Sequence, residues 1–244
     1  MRLALLSDIH GNIPALQAVV ADLHRRDISE VINLGDHVSG PLWPRETVQY
    51  LMKTNWIHIS GNHDRQLVKD DPQKLGLSDL YAFTNIATAE LKWLSGLPAQ
   101  QKIGNDITAF HGSPRDDQEY LLETISNGKI HLSLKKEIIT KLNGISSKIF
   151  LCGHSHTPRC IKIDETTIIN PGSVGLQGYI DDGDNPHIVE IGSPHARYAI
   201  IEMAGEEITI EFIALQYDWG KAAAKAQEAG RKEWMNALYT GYVS

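Results

Sequence analysis

Short apolar runs recur along the first two thirds of the chain, and each gives way abruptly to polar residues. Leu3 to Leu6 ends in Ser7-Asp8-Ile9-His10, Val31 to Leu34 in Gly35-Asp36, and Trp56 to Ile59 in Ser60-Gly61-Asn62-His63-Asp64. Ile107 to Phe110 ends in His111-Gly112, and Ile149 to Cys152 in Gly153-His154-Ser155-His156. Runs of this length, bounded by Gly, Asn and Asp, predict buried strands. After the first run, Asn12 and Pro14 precede Leu16, Val19, Val20 and Leu23 at helical spacing, which predicts a capped amphipathic helix to about Arg26. Past the His37 to Pro41 loop, Val48, Leu51 and Met52 mark a short helix. Ile86, Ala89, Trp93 and Leu94 mark a longer one that Leu97-Pro98 stops, and Leu134, Ile138 and Leu142 another. Lys69 to Leu80, with Asp70-Asp71-Pro72 and Gly76, reads as a surface excursion.

The second half changes character. Gln100 to Ile103 and Ile107 to Phe110 form an expected hairpin across Gly104-Asn105-Asp106, and Ile161 to Ile163 with Thr167 to Ile169 another across Asp164-Glu165. A third joins Tyr198 to Met203 with Ile208 to Phe212 at Gly205-Glu206. Trp219 to Tyr239 reads as helix broken at Gly230, with Trp219 and Trp234 in the core. Ser113 to Asn127 fits no element and reads as a substrate-shaping insert. Strand and helix alternating early, with hairpins late, predict an α/β fold of two packed sheets with helices outside rather than one doubly wound sheet.

Composition narrows the class of protein. With 244 residues, 42% hydrophobic and 22% charged, the chain can bury a sizeable core as one domain, residues 1–244. A net charge of −7 argues against a surface that tracks nucleic-acid phosphates, yet leaves small phosphorylated substrates open, because a bound metal supplies positive charge locally. No apolar stretch approaches the ~20 residues of a membrane span, and Leu3 to Leu6 is too short for a signal sequence, so a cytoplasmic location is expected. Cys152 and Cys160 fit no zinc spacing and read as free thiols. Oligomeric state leaves no signal.

The chemistry sits at the run ends. Carboxyl ends of strands in α/β sheets converge on one crevice, which would gather Asp8, His10, Asp36, Asn62, His111, His154 and His156. Asp8 with His10, and His154 with His156, are two apart, so on extended backbone each pair is expected to grip one ion. Seven mixed oxygen and nitrogen donors without a thiolate exceed one tetrahedral zinc and suit two divalent ions. Asp36 is the expected bridge, since Gly35 lets the backbone turn tightly beneath the ions. Two such ions lower the pKa of a shared water from about 15.7 towards neutrality and clamp an in-line displacement at phosphorus. Charge bookkeeping leaves roughly +1 at the centre, which a diester monoanion neutralises, whereas a monoester dianion needs His63 or Arg65 as a further cation. His63 can protonate a leaving group, with Asp64 orienting the ring. Arg65 is a candidate substrate contact or the partner of a surface carboxylate, and His37 lines the pocket, faces solvent or supports the site from behind. His24, His58, His131, His187 and His195 read as surface or satisfied core residues.

Asp8-x-His10, Gly35-Asp36, Gly61-Asn62-His63-Asp64, His111-Gly112 and Gly153-His154-x-His156, in that order, resemble the calcineurin-like metallophosphoesterase superfamily. Asp8-Ile9-His10-Gly11-Asn12 and Asn170-Pro171-Gly172-Ser173 are similar to its small bacterial and archaeal phosphodiesterase branch. The arginine that its protein Ser/Thr phosphatases and diadenosine tetraphosphatases carry after the Gly-Asp block is absent, and His37-Val38-Ser39-Gly40 stands there. The resemblance implies a four-layer αββα sandwich of two mixed sheets. It places Asp8, His10, Asp36 and His156 on one ion and Asp36, Asn62, His111 and His154 on the other. The ions would be manganese first, with iron, zinc, nickel or cobalt as alternatives. It also implies His63 as leaving-group acid with Asp64 orienting it. The expected activity is hydrolysis of a small phosphodiester by hydroxide held between two metals. A phosphomonoesterase and a non-catalytic metal-binding scaffold are the alternatives.

Overall fold

The computed structural model describes residues 1–205 and 207–244. Its first half alternates strand and helix: β1 (Arg2–Leu6), α1 (Ile13–Arg25), β2 (Val31–Asn33), α2 (Pro44–Leu51), β3 (Ile57–His58), α3 (Asn62–Lys69), α4 (Leu77–Asn85) and α5 (Thr88–Ser95). Next come β4 (Gln100–Ile103), β5 (Ile107–Phe110), β6 (Glu123–Ser126), β7 (Lys129–Leu132), α6 (Lys135–Lys141) and β8 (Ile149–Leu151). Then follow β9 (Arg159–Ile163), β10 (Thr166–Asn170), β11 (Gly178–Asp181), β12 (His187–Glu190), β13 (Ala196–Ala204), β14 (Glu207–Leu215), α7 (Trp219–Glu228) and α8 (Lys232–Thr240).

Two five-stranded sheets carry the core. The first has the order β14-β13-β1-β2-β3, with β1, β2 and β3 parallel and β13 antiparallel to β1. The second has the order β4-β5-β8-β10-β9, with β5, β8 and β10 parallel between antiparallel edges. Leu3, Leu5 and Ile32 of the first meet Ala109, Ile149 and Leu151 of the second in one buried cluster. Alternate side chains point the other way: Ala4 and Leu6 pack with Leu16, Val19 and Leu23 of α1, while Phe110, Phe150 and Ile168 pack with Ile138 of α6. Strands covered on both faces are apolar at most positions, which is why the runs are continuous rather than alternating. Each leucine so buried contributes roughly 1.5–3 kcal/mol. The helix α1 starts as expected, with the Asn12 side chain accepting from the Ala15 N–H at 3.2 Å.

The architecture is mixed α/β, but it holds a third sheet that the sequence pattern did not announce, in the order β11-β12-β7-β6. Part of it comes from the Ser113 to Asn127 insert. Its strands are short and largely exposed, and β12 joins β7 through a single register pair, Ile188 with Lys129, so no long apolar period marks it. The helix expected around Ile86 to Leu94 is α5, which Glu90 starts by accepting from the Ala87 N–H, and α4, ending at Asn85, is a further helix that was not expected. The expected surface excursion is exposed along most of Lys69 to Leu80, but Asp79 at the start of α4 turns inward and is only 6% exposed. In the β13–β14 hairpin Ala204 pairs with Glu207, while Glu206 of the expected turn lies outside the described residues. Among the described residues no helix is long and apolar enough to cross a membrane.

Candidate metal centre

The chain bends sharply where the parallel strands end. Asp8, His10, Asp36, His154 and His156 have φ of 56°, 51°, 55°, 65° and 54°. That left-handed conformation costs a residue with a Cβ roughly 1–2 kcal/mol, so the surrounding packing must impose it. The extended backbone expected for the two i, i+2 pairs is therefore corrected. Asp8 and His10 do stay together, but His154 and His156 part to different groups. Two glycines permit the crowding. Gly35 sits at φ 112°, where a Cβ would lie 2.6 Å from the Gly61 nitrogen, and a Cβ on Gly61 would lie 2.1 Å from Asp36 Oδ1.

The bends assemble two clusters whose candidate ligand atoms lie within 4.8 Å of one another, Asp8 with His10 and His156, and Asp36 with His111 and His154. Asp36 Oδ2 faces both, at 3.3 Å from His111 Nε2 and 3.9 Å from His10 Nε2. Asn62 Oδ1 lies 3.1 Å from His111 Nε2. Each imidazole has one nitrogen fixed on a backbone carbonyl: His10 Nδ1 on Ser39, His111 Nδ1 on Leu34, His156 Nδ1 on Leu176 and His154 Nε2 on Gln118, at 2.7–3.0 Å. A carbonyl only accepts, so these nitrogens carry the protons, and the other ring nitrogens of His10, His154 and His156 present lone pairs to the clusters, while His111 Nε2, facing Asn62 Oδ1 and Asp36 Oδ2, holds a proton that a cation would displace. His10 Nε2 and His156 Nε2 then face each other at 3.1 Å as two acceptors, and the buried Asp8 Oδ1 has no hydrogen-bond partner. Such a cluster calls for a cation. The nitrogen separation suits two ligands each about 2.0–2.1 Å from one divalent ion.

The electrostatics agree. Burial favours neutral forms, yet the Asp36 and Asp8 charges hold His111 up to about 10. Burial also pushes Asp8 upward, and His156 and His111 override it to bring Asp8 to about 2. His10 falls to about 4 and His154 to about 3, through burial first and a neighbouring imidazole second. Protons thus balance the carboxylates in part, a role that divalent cations take over when ligands bind them deprotonated.

Around this centre three expectations are corrected. Asp64 does not orient His63. It accepts from the N–H groups of Gly61, Asp36 and His37 at 2.9–3.1 Å and from His37 Nδ1 at 2.7 Å, tying α3 to the turn that carries Asp36. Adjacent residues on a helix diverge by about 100°, so Asp64 points behind the site while His63 points into it. His63 Nδ1 instead bonds Asp79 Oδ1 at 2.9 Å, a partner from α4 with no sequence motif to mark it. Burial lowers the His63 pKa, but the Asp36 and Asp79 charges raise it to about 9. His37 is fully buried on Asp64 and against Trp93, and does not reach the cavity. Arg65 makes a bidentate pair with Asp117 at 2.6 and 2.9 Å, fastening α3 to the insert rather than facing substrate. Cys152 is buried, Cys160 is exposed, and neither belongs to a cluster.

Over the centre opens a cavity of about 750 Å³. His10, Asp36, Asn62, His63, His154 and His156 form part of its surface. The insert read as substrate-shaping supplies one further wall, whereas the wall from the C-terminal helices was not foreseen. Tyr120 and Tyr179, from the insert and β11, bond hydroxyl to hydroxyl at 2.6 Å, and Tyr120 also meets His187 Nε2 at 2.7 Å. Their rings cover His154 and His156, each with centroids 4.7 Å apart. From the C-terminal helix pair come Arg231, Glu233 and Trp234, the last packed edge-on against His10 at 5.9 Å. A second cleft of about 590 Å³, beside Val31 and Trp56 at the opposite strand ends, contains none of the candidate ligands.

Comparison with known proteins agrees with this geometry. The model of the calcineurin-like phosphoesterase superfamily domain matches residues 1–191, and the chain belongs to that family. It is a metal-dependent phosphoric ester hydrolase. An uncharacterized protein of Methanocaldococcus jannaschii is 26% identical over 251 residues, spanning 96% of this chain and 95% of that one. A metallophosphoesterase from Sphaerobacter thermophilus is 26% identical with a TM-score of 0.76, covering 99% of this chain and all of that one. A hypothetical protein from Pyrococcus horikoshii shares the fold at a TM-score of 0.78, with 20% identity and 98% of each chain covered.

Proposed function

We propose that the chain, as a single domain layered as an αββα sandwich, is a binuclear phosphodiesterase that hydrolyses a small phosphodiester. Asp8, His10, Asp36 and His156 would hold one ion and Asp36, Asn62, His111 and His154 the other. The observation that carries this reading is the lone-pair contact of His10 and His156 at 3.1 Å beside the unpartnered Asp8 Oδ1, with Asp36 Oδ2 turned to both clusters. Bound there, divalent ions, manganese first, supply Lewis acidity towards phosphoryl oxygens and make water nucleophilic near neutral pH.

The chain's own groups do the rest. His63, held through Nδ1 by Asp79, has Nε2 free to protonate the departing alkoxide. Asp64 fixes the turn that presents Asp36. Arg65, one of the two cations that could balance a monoester dianion, is paired with Asp117, which leaves His63 alone for that role and leans the reading towards a diester.

The test is hydrolysis of bis- and mono-p-nitrophenyl phosphate by protein purified without chelator, with and without added manganese. Faster diester hydrolysis supports the reading. Preference for the monoester makes the enzyme a phosphatase, and inertness of the metal-loaded protein towards both would make it a scaffold.

A further inference from the structure

The cavity over the metal centre contains one arginine or lysine among the described residues, Arg231. It belongs to the segment before α8, beyond the residues 1–191 matched by the family domain. Its guanidinium is held from two sides: Nε donates to Glu233 Oε1 at 2.5 Å and Nη1 to Ser78 Oγ at 3.2 Å. The Nη2 group has no hydrogen-bond partner among the described residues. The side chain is 18% exposed, so the open edge is fixed in place rather than waving in solvent. Its Cζ lies 5.8 Å from the Trp234 ring centroid, and that ring lies 5.9 Å from His10, so Arg231 stands one aromatic side chain away from the reacting centre.

With the Trp234 ring neighbouring both Arg231 and His10, the guanidinium sits on the cavity wall, a place suited to a group carried on one of the ester substituents. The same cavity is lined by Leu77 and Ile180, 71% and 51% exposed, together with Leu176 and Tyr179, apolar surface that suits an organic substituent. Asp181 and Asp182 lie on the same cavity at the end of β11, and repel an anion there. Away from His63 at the centre, the one arginine or lysine edge that the described cavity lining offers an anionic group is that of Arg231, whose other side Glu233 holds.

Resting on the phosphodiesterase reading above, we infer that Arg231 is a specificity-determining residue that receives a second anionic group, phosphate or carboxylate, on the organic substituent of the phosphodiester substrate. The interaction is a charge-assisted hydrogen bond in a partly buried place, for which about tenfold discrimination is expected.

The test uses three p-nitrophenyl esters that release the same p-nitrophenolate and differ only in the second ester group, namely propyl, carboxyethyl and phosphonooxyethyl. The manganese-loaded wild type should favour one or both anionic esters over the propyl ester by about tenfold in kcat/KM, and the two arms tell carboxylate from phosphate. In Arg231→Ala that ratio should fall to near one, and Arg231→Lys should restore part of it. The ratio is read within each protein, so a loss of overall rate cancels. A wild type without the preference, or an Arg231→Ala variant that keeps it, overturns the inference. Calorimetric binding of propyl, carboxyethyl and phosphonooxyethyl phosphate supplies a readout independent of turnover. Failure to hydrolyse any of the three esters counts against the phosphodiesterase reading, whereas equal binding of the three phosphates by wild type counts against Arg231.

Discussion

The floor of the cavity and its wall are built on different principles. The floor is made of strand ends: β1, β2, β5 and β8 are buried, and after β1, β2 and β8 the chain bends into left-handed turns that hold Asp8, His10, Asp36, His154 and His156. Every imidazole there is anchored on a backbone carbonyl. The wall comes from the third sheet and the C-terminal helices, and its contacts run between side chains: Tyr120 to Tyr179 and His187, Arg231 to Glu233 and Ser78, Trp234 against His10. A floor locked by backbone is suited to unchanging metal chemistry, and a wall of side chains can change its substrate without moving the metals.

That division can be broken by substitution. Asp36→Ala removes the carboxylate facing both clusters, and kcat/KM should fall roughly a thousandfold or more, with metal per chain dropping from near two to below one by plasma mass spectrometry. His63→Ala should keep its metal and lose about a hundredfold to ten-thousandfold on alkyl leaving groups, but far less on p-nitrophenolate, which needs no proton. An equal loss on both would remove His63 from the acid role. Asp79→Asn and Asp64→Asn sharpen the contrast. The first should cost about tenfold in turnover of alkyl esters through loss of the charged His63 partner. The second should lower unfolding stability by about 1–3 kcal/mol in urea titration, because Asp64 accepts from three backbone N–H groups in a fully buried position. Smallest, Trp234→Phe should shift KM by a few-fold while metal per chain stays near two; loss of metal in that variant would erase the distinction between wall and floor.

The same division explains what could be read from the sequence. The floor was legible because both-face burial makes continuous apolar runs and each run ends in a candidate metal ligand, as at Leu34-Gly35-Asp36. Partners that meet through space rather than along the chain were not. Asp79 sits in a stretch whose Asp, Pro and Gly read as surface, and nothing local ties it to His63, sixteen residues earlier. Asp64 was misread because adjacency in sequence suggested contact, whereas the helix turns it away. His37 and Arg65 carry groups that could serve a substrate, and burial on Asp64 and pairing with Asp117 show only in three dimensions. The third sheet escaped because its strands are short and exposed, and Trp234, read as core, is both core and wall.

The most direct measurement is anomalous scattering from crystals of the cobalt-loaded protein. The account predicts two peaks about 3.5–4 Å apart, one beside Asp8, His10 and His156 and the other beside Asn62, His111 and His154, with Asp36 between them. A single peak, or ions bound away from these residues, would contradict it.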